Sequence, residues 1–233
     1  MIIHQETFLA FDTAFEQGRV VIFSRDGTIL SECALDDKMS HSTSLCGAIE
    51  RCLQAAPPLC AVMVGLGPGS FIGLRIALAT ALGYSFGRSL PLMGFSSHLA
   101  LAHSTTEHQK LAVVTKASGN LVYTSTFLRN KLHIKPLTEC AVLDKNETLA
   151  HLDHSFKSGR TKSDYLIISD VDLGGRALNV RGPTAEGVVD ACLEKIALGI
   201  IDESTHIKPD YRKGPNVSIP KNSPICGQLL PSA

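Results

Sequence analysis

The sequence predicts an α/β fold with two lobes. Three observations support this prediction. The first 100 residues contain three β-rich segments and then alternating helices and strands. A glycine-rich turn joins a continuous apolar strand to a long helix, and new β-rich segments follow a polar stretch at residues 103–109. A chain of 233 residues is long enough to bury a core as one large domain or as two modest lobes.

The chain begins with three β-rich segments. Residues 7–14 contain a short apolar run that ends in an acid, and residues 19–24 and 28–34 are rich in strand-forming residues. Asp26-Gly27 lies between the last two segments and is a dipeptide typical of a tight hairpin turn. We therefore expect one strand followed by a hairpin.

The first helix is predicted from apolar residues at the i, i+4, i+7 and i+8 positions of one helical face, namely Leu45, Ile49, Cys52 and Leu53. Ser42 or Thr43 would cap its start, and Pro57 limits its end. Residues 59–66 are apolar throughout, which is the pattern of a strand covered on both faces.

The glycine-rich turn is followed by a second helix, predicted over residues 70–86 with Ser70 as its cap and Gly87 beyond its end. A strand at residues 91–95 and the start of a helix at 97–102 complete the order β-β-β-α-β-α-β. This order is that of the RNase H-like lobe of actin-like proteins, with a generic α/β sandwich as the alternative.

The sequence pattern after residue 103 predicts a second, smaller lobe. Strands are expected at residues 111–115, 121–129 and 165–169, and helices at residues 147–154 and 183–198. We expect an N-terminal lobe over residues 1–103, a C-terminal lobe over 104–214 and an irregular tail over 215–233.

Composition limits the function classes. Lys plus Arg and Asp plus Glu both number 22, so the formal charge is zero and no general attraction to nucleic acid or membrane is expected. The basic stretch at residues 206–221 is interpreted as a solvated tail, although it leaves local RNA contact open.

Seven cysteines without Cys-x-x-Cys spacing are interpreted as reduced core residues of a cytoplasmic protein. No apolar run approaches bilayer length, so we expect neither export nor membrane insertion.

The glycine-rich turn, residues 65–75, is the most informative segment. A strand, glycines and a helix start can direct backbone N–H groups at a phosphate. The Lys of a phosphate-binding loop is absent, however, Pro68 removes one donor, and Ser70 stands where a dinucleotide fingerprint needs its third glycine. Ser70 is interpreted as a helix cap rather than a nucleophile, because the Gly-x-Ser-x-Gly elbow is missing.

The segment Gly67-Pro-Gly-Ser-Phe-Ile-Gly-Leu-Arg75 resembles the hallmark of the TsaB (YeaZ) family. Further matches are Leu9-Ala-Phe-Asp-Thr13, His41-Ser42, the stretch from Pro91 to Ser97, and Pro209-Asp-Tyr-Arg212. The resemblance spans residues 8–212, close before Ala102 and loose afterwards. Lys116-Ala-Ser-Gly-Asn-Leu-Val-Tyr123 departs from the family's usual Asp-Ala-Arg-Arg-Gly-Glu-Val-Tyr.

The resemblance implies an actin-like fold and a non-catalytic scaffold subunit of the complex that makes threonylcarbamoyladenosine on tRNA. It implies a heterodimer with TsaD through the first two helices, recruitment of TsaE with ATP to the assembled complex, and only indirect contact with tRNA. Similar surfaces support homodimers in the family. No cofactor is implied.

Small residues of the second helix suggest where a partner binds. Gly73, Ala77 and Ala81 step by four, so their side of the helix admits a close neighbour. Ile76, Leu82 and Phe86 are expected to face the home sheet. The alternative is that the small stripe packs only on the first helix. The predicted interface residues are His41, Ser42, Leu45, Gly69, Ser70, Gly73, Arg75, Ala77, Thr80 and Ala81. Arg75 has the alternative role of ordering the glycine turn.

An enzyme of the actin-like class is the competing hypothesis. It would be an ATPase or phosphotransferase with Asp12 binding magnesium and nucleotide. Phe15 and Glu16 argue against it, because they place bulk and negative charge where a triphosphate needs hydrogen-bond donors. No two histidines are four residues apart, so no metal site is predicted. A peptidase would need such a metal or a nucleophile, and no catalytic residue is predicted.

Overall fold

The computed structural model describes residues 6–36, 41–106, 108–130, 133–156, 165–199 and 207–212. The first half of the chain forms β1 (Thr7–Asp12), β2 (Gly18–Ser24), β3 (Ile29–Leu35), α1 (His41–Leu53), β4 (Leu59–Gly65), α2 (Phe71–Arg88), β5 (Leu92–Phe95) and α3 (Ser97–His103). The second half forms β6 (Lys110–Lys116), β7 (Leu121–Arg129), β8 (Ile134–Pro136), β9 (Ala141–Asp144), α4 (Lys145–Ser155), β10 (Leu166–Ser169), β11 (Ala177–Asn179) and α5 (Ala185–Ala197).

The first sheet has the strand order β3-β2-β1-β4-β5. β2 is antiparallel to β1 and to β3, whereas β4 runs parallel to β1 and to β5. The hairpin turn forms as predicted, with Gly27 at φ +88° and its N–H donating to the carbonyl of Ser24 at 2.8 Å. This topology confirms the predicted RNase H-like lobe with the order β-β-β-α-β-α-β.

The second sheet repeats the plan of the first. Its order is β11-β10-β6-β7-β8, with β9 also paired to β7. β7 is antiparallel to β6, and β10 is parallel to both β6 and β11. Two sheets with the same topology confirm the predicted two-lobed actin-like architecture. The short strands β8, β9 and β11 were not predicted, because three or four residues carry too little pattern and pairing with longer strands decides their conformation.

Helices cover both faces of the first sheet. α1 and α2 enclose one apolar cluster that includes Leu9, Leu45 and Ala77. α5 lies on the opposite face, where Val188 and Cys192 pack with Phe8 and Phe23 of the sheet. The predicted division at residues 103 and 214 stays a prediction. α5 belongs to the predicted C-terminal lobe, but it packs against the first sheet.

The cysteines described are all free thiols, as expected for reduced residues. Cys52 and Cys192 are buried, but Cys46 and Cys60 are exposed, so the prediction that the cysteines are core residues is wrong for these two. Both lie within apolar segments of the sequence, but on the side of the helix or strand that faces the solvent. Cys226 and the predicted tail over 215–233 lie outside the described residues. None of the helices in the described ranges has the length and hydropathy needed to cross a bilayer.

Candidate functional site

The glycine-rich turn connects β4 to α2 and packs against the turn that follows β1. The Gly67–Pro68 peptide bond is cis, and Gly67 has φ +96°. The N–H of Ser70 donates to the carbonyl of Ala14 at 2.8 Å, and a Cβ at Gly69 would lie 2.7 Å from that same carbonyl oxygen. The backbone donor that a phosphate would need at this position is therefore used within the chain.

Ser70 is the N-cap of α2, as predicted. Its side chain accepts a hydrogen bond from the N–H of Gly73 at 3.3 Å. This bond satisfies one of the free N–H groups at the helix start. The hydroxyl therefore has a structural role in the described chain.

The carboxyl group of Asp12 is sealed inside the molecule. Asp12 is 0% exposed; its Oδ1 accepts from the N–H of Ala14 at 2.8 Å, and a Cβ at Gly65 would lie 2.3 Å from its Cγ. Burial raises the pKa of Asp12 to about 6, opposed by smaller effects of the Ser97 hydroxyl and the backbone of Ala14 and Thr13. Its Oδ2 has no hydrogen-bond partner among the described residues. A nucleotide or metal would have to open the structure to reach this group.

Phe15 occupies the junction of the two lobes. It is 2% exposed and belongs to an apolar cluster that contains Leu74 and Leu101 of the first half and Val113 and Phe127 of the second. The prediction that Phe15 puts bulk where an actin-like ATPase binds triphosphate stays a prediction. Glu16 instead lies at the surface, where its carboxylate is 3.0 Å from the guanidinium of Arg181.

His98 joins the lobes through two hydrogen bonds. Its Nδ1 is 2.8 Å from the Ser125 hydroxyl on β7, and its Nε2 is 2.7 Å from the Thr115 hydroxyl on β6. The side chain is 1% exposed, and burial lowers its pKa to about 3. A neutral imidazole thus links α3 to the second sheet.

The small stripe of α2 faces inward. Ala77 and Ala81 are each 0% exposed, and Gly73 is also buried. A Cβ at Gly73 would lie 2.0 Å from the carbonyl oxygen of Thr13. Small side chains here let α2 approach its own sheet and the turn after β1, so they do not present the surface that the sequence suggested.

Some of the other predicted interface residues are buried, and some are exposed. His41 and Leu45 of α1 are buried within the chain, at 0% and 1% exposure. Ser42 is exposed, whereas Gly69, Ser70 and Thr80 are partly exposed. The guanidinium of Arg75 lies over the ring of Phe71, 5.4 Å from its centroid, rather than on the glycine turn. Only the exposed members of the predicted set remain candidates for partner contact.

The outer face of α2 carries the exposed apolar surface. Ile72 is 70% exposed and Phe86 is 90% exposed, so the prediction that Phe86 faces the home sheet is wrong. Ala79 and Gly83 lie between them on the same side, and both are exposed. We call Ile72, Ala79, Gly83 and Phe86 the outer face of α2. Their i, i+7, i+11, i+14 spacing was available in the sequence as a signal.

A groove borders this outer face. It has a volume of about 420 Å³ and lies between α1 and α2. Its lining residues are Cys46, Ile49, Glu50, Ala79, Thr80, Gly83 and Tyr84. A Cβ at Gly83 or Gly87 would meet no atom of the described residues within 4 Å. Packing inside the chain therefore does not require a glycine at either position.

The C-terminal motif at residues 209–212 lies beside the start of α2. The N–H of Asp210 donates to the carbonyl of Leu66 at 2.7 Å, and the ring of Tyr211 lies 5.0 Å from that of Phe71. Arg212 Nε is 2.6 Å from Asp210 Oδ1. This motif therefore supports the glycine turn and the first residues of α2.

No group of three or more metal-ligating side chains occurs in the described part of the chain. The fold and the site together define a two-lobed α/β protein of the actin-like class, with its first-strand acid enclosed and an apolar helix face exposed. The structure of YeaZ from Pseudomonas aeruginosa has the same fold, with a TM-score of 0.70 at 19% identity over 88% of this chain and 99% of that one.

Sequence comparison identifies the family. The protein-family model for TsaD, tRNA N6-adenosine threonylcarbamoyltransferase, matches residues 28–174 of the sequence. The tRNA threonylcarbamoyladenosine biosynthesis protein TsaB of Haemophilus influenzae is 33% identical over 134 residues, which cover 54% of this chain and 56% of the relative. TsaB of Escherichia coli is 32% identical over 98 residues, covering 40% of this chain and 42% of the relative. The chain belongs to the TsaB (YeaZ) family within the group that this model describes. It spans about half the length of these two relatives.

Proposed function

We propose that the chain acts in the biosynthesis of threonylcarbamoyladenosine on tRNA as a non-catalytic subunit that binds TsaD. The family membership and the names of the related TsaB proteins support the pathway. The enclosed Asp12 and the buried Phe15 support a role without nucleotide chemistry, because neither side chain is open to a ligand.

The outer face of α2 is the proposed contact surface. The observation that carries this proposal is the 90% exposure of Phe86 beside two glycines, Gly83 and Gly87, at which an added Cβ would meet no atom of the described residues within 4 Å. A glycine inside a helix costs about 0.5 to 1 kcal/mol relative to alanine. Close approach of a partner helix at Gly83, with Ile72 and Phe86 buried in the complex, would offset this cost. The groove between α1 and α2 extends the surface to both helices, with exposed Ser42 at the start of α1.

In this proposal the TsaD heterodimer then recruits TsaE with ATP. The chain contributes binding energy that selects the active conformation of TsaD. The same outer face supports a homodimer when TsaD is absent. A formal charge of zero supports only indirect contact with tRNA.

The test is reconstitution with TsaD from the same cell. We expect the two proteins to elute as one complex in gel filtration, TsaE to be retained with ATP only by that pair, and tRNA modification to require the chain. The chain alone should neither modify tRNA nor bind Mg-ATP in calorimetry. Modification by the chain unaided, or elution of TsaD separately from it, would overturn the proposal.

A further inference from the structure

A charged residue, Arg75, lies among the apolar residues on the outer face of α2. Ile72, Ala79 and Phe86 repeat at intervals of seven residues, which is the spacing of a helix that packs lengthwise against another helix. Arg75 is exposed and lies three residues after Ile72 and four before Ala79, so it is on the same side of the helix. A helix that docks on the outer face of α2 therefore covers this charge.

An aromatic pair supports the guanidinium of Arg75. The guanidinium lies 5.4 Å from the centroid of the Phe71 ring, and the Phe71 ring lies 5.0 Å from that of Tyr211. The residue before Tyr211 is fixed to the glycine-rich turn, because its N–H donates to the carbonyl of Leu66 at 2.7 Å. A guanidinium that is restrained before binding loses less conformational freedom when a partner group contacts it.

The charge of Arg75 has no carboxylate partner in the described part of the chain. α2 contains no acidic residue, and Glu50, the acid of α1, lines the groove on the side of Thr80 and Gly83. A docking helix that removed water from an unpaired guanidinium would be strongly disfavoured. A carboxylate placed against the guanidinium would instead form a charge-assisted pair with two hydrogen bonds. The partner therefore has to supply an acid at this point.

We propose that Arg75 determines the specificity of the outer face of α2, and that its partner is a helix of TsaD with an aspartate or glutamate opposite Arg75. The inference rests on the proposed function and adds the chemistry of the partner. That helix would carry a small residue where it crosses Gly83 and a carboxylate about 12 Å further along, at the level of Arg75. A second copy of the chain fits less well, because its α2 has no acid to offer.

The test measures the affinity of the full-length chain for TsaD by calorimetry. We expect Arg75→Gln to weaken binding about tenfold, and Arg75→Glu to weaken it about tenfold further because like charges would then meet. The melting temperature should not change in either variant, since Arg75 is exposed. Replacing each Asp or Glu on the surface helices of TsaD by lysine then locates the partner group. One replacement should restore binding to Arg75→Glu and weaken binding to the wild type.

Arg88→Gln is the matched control. Arg88 is also an exposed arginine of α2, and its guanidinium lies over a ring four residues earlier, 5.3 Å from the centroid of Tyr84. It lies two residues after Phe86, so the two side chains point to different sides of the helix. Arg88 borders a separate cavity with Leu53 and Leu90. Its replacement should leave the affinity for TsaD unchanged.

Gly83→Leu separates a failure of this inference from a failure of the proposed function. If Gly83→Leu weakens binding to TsaD and Arg75→Glu does not, the outer face is the contact surface but the role of Arg75 is overturned. Loss of binding in Arg75→Glu that no lysine replacement in TsaD rescues also overturns it. If neither variant weakens binding, or if the wild type does not bind TsaD, the proposed function fails as well. Self-association that Arg75→Gln and Glu50→Gln both weaken, with TsaD binding unchanged, would assign Arg75 to a second copy instead.

Discussion

Gly73 and Thr13 hold α2 against the turn that follows β1. The Thr13 hydroxyl donates to the Gly73 carbonyl at 2.7 Å, and a Cβ at Gly73 would lie 2.0 Å from the Thr13 carbonyl oxygen. The glycine that looked like part of a partner surface is therefore required by the chain's own fold. This contact fixes which side of α2 faces the solvent.

Gly73→Ala is expected to lower the free energy of unfolding by about 3 kcal/mol, because the added methyl group must push apart two backbone segments. Urea denaturation followed by circular dichroism measures this loss. Gly87→Ala is the control on the same helix, where a Cβ meets no atom within 4 Å. It should stabilise the chain by up to about 1 kcal/mol, and equal effects of the two variants would contradict this account.

Asp12→Asn is expected to stabilise the protein above pH 6. The pKa of Asp12 is raised from 3.8 to about 6 by burial, so the folded state holds a proton that the unfolded state has lost. The protonated form contributes stability below pH 4 that disappears as the pH rises through 6. The variant, with a neutral side chain, should match wild type near pH 4 and exceed it by about 2 to 3 kcal/mol at pH 7 to 8.

Urea denaturation of both proteins across this pH range measures the difference for Asp12. A difference that does not change with pH would show that burial does not raise the pKa of Asp12 in the folded state. Titration with Mg-ATP adds a separate readout. Micromolar binding that is lost in Asp12→Asn would support an actin-like enzyme instead.

His98→Gln is expected to reduce the sensitivity of the fold to acid. Burial lowers the pKa of His98 from 6.5 to about 3, so the unfolded state takes up a proton that the folded state excludes. Stability from the neutral ring is present above pH 6.5 and is lost progressively as the pH falls toward 3. Wild type should therefore lose about 3 kcal/mol more than the variant on acidification from pH 7 to 4.

The His98 experiment is best done in the Asp12→Asn background, because Asp12 titrates in the opposite direction over part of the same range. At pH 7 the variant should be less stable than its parent, since one bond to Ser125 or Thr115 weakens. If acid destabilised both proteins equally, His98 would not be the acid-sensitive link between the lobes.

Phe86→Ser is expected to weaken self-association without lowering stability. The ring is 90% exposed in the single chain, so its removal costs little in the fold but takes apolar area from the proposed interface. Sedimentation velocity at increasing concentration measures the association. Leu198→Ser is a matched control, because Leu198 is 69% exposed just beyond α5, away from the outer face of α2. A homodimer that weakens with Leu198→Ser and not with Phe86→Ser would place the contact elsewhere.

The sequence predicted the first lobe well, since its signals are local. Asp26-Gly27 marks a hairpin, residues 59–66 mark a covered strand, and Ser70 marks a helix start. Each formed as expected. The short strands β8, β9 and β11 were missed because pairing with longer strands decides their conformation.

The orientation of α2 could not be predicted in the same way. Glycine and alanine fit equally well against a home sheet or a partner helix, so the stripe of Gly73, Ala77 and Ala81 has no direction of its own. Thr13 decides it, because its hydroxyl donates to the Gly73 carbonyl across 60 residues of sequence and its own carbonyl oxygen leaves no room for a Cβ at Gly73. Because the small stripe faces inward, Phe86 lies on the exposed side of α2. Its hydrophobicity alone had predicted a position in the core.

The affinity for TsaD of three purified proteins, measured by calorimetry, tests the central claim most directly. These are the wild type, Gly83→Leu on the outer face of α2, and Ala150→Leu at an exposed position of α4. We predict that Gly83→Leu binds at least about tenfold more weakly, a loss of about 1.4 kcal/mol, because its side chain blocks the approach of the partner. Its melting temperature should be equal to or above that of wild type, and Ala150→Leu should bind like wild type. Wild-type affinity of Gly83→Leu for TsaD would contradict the account.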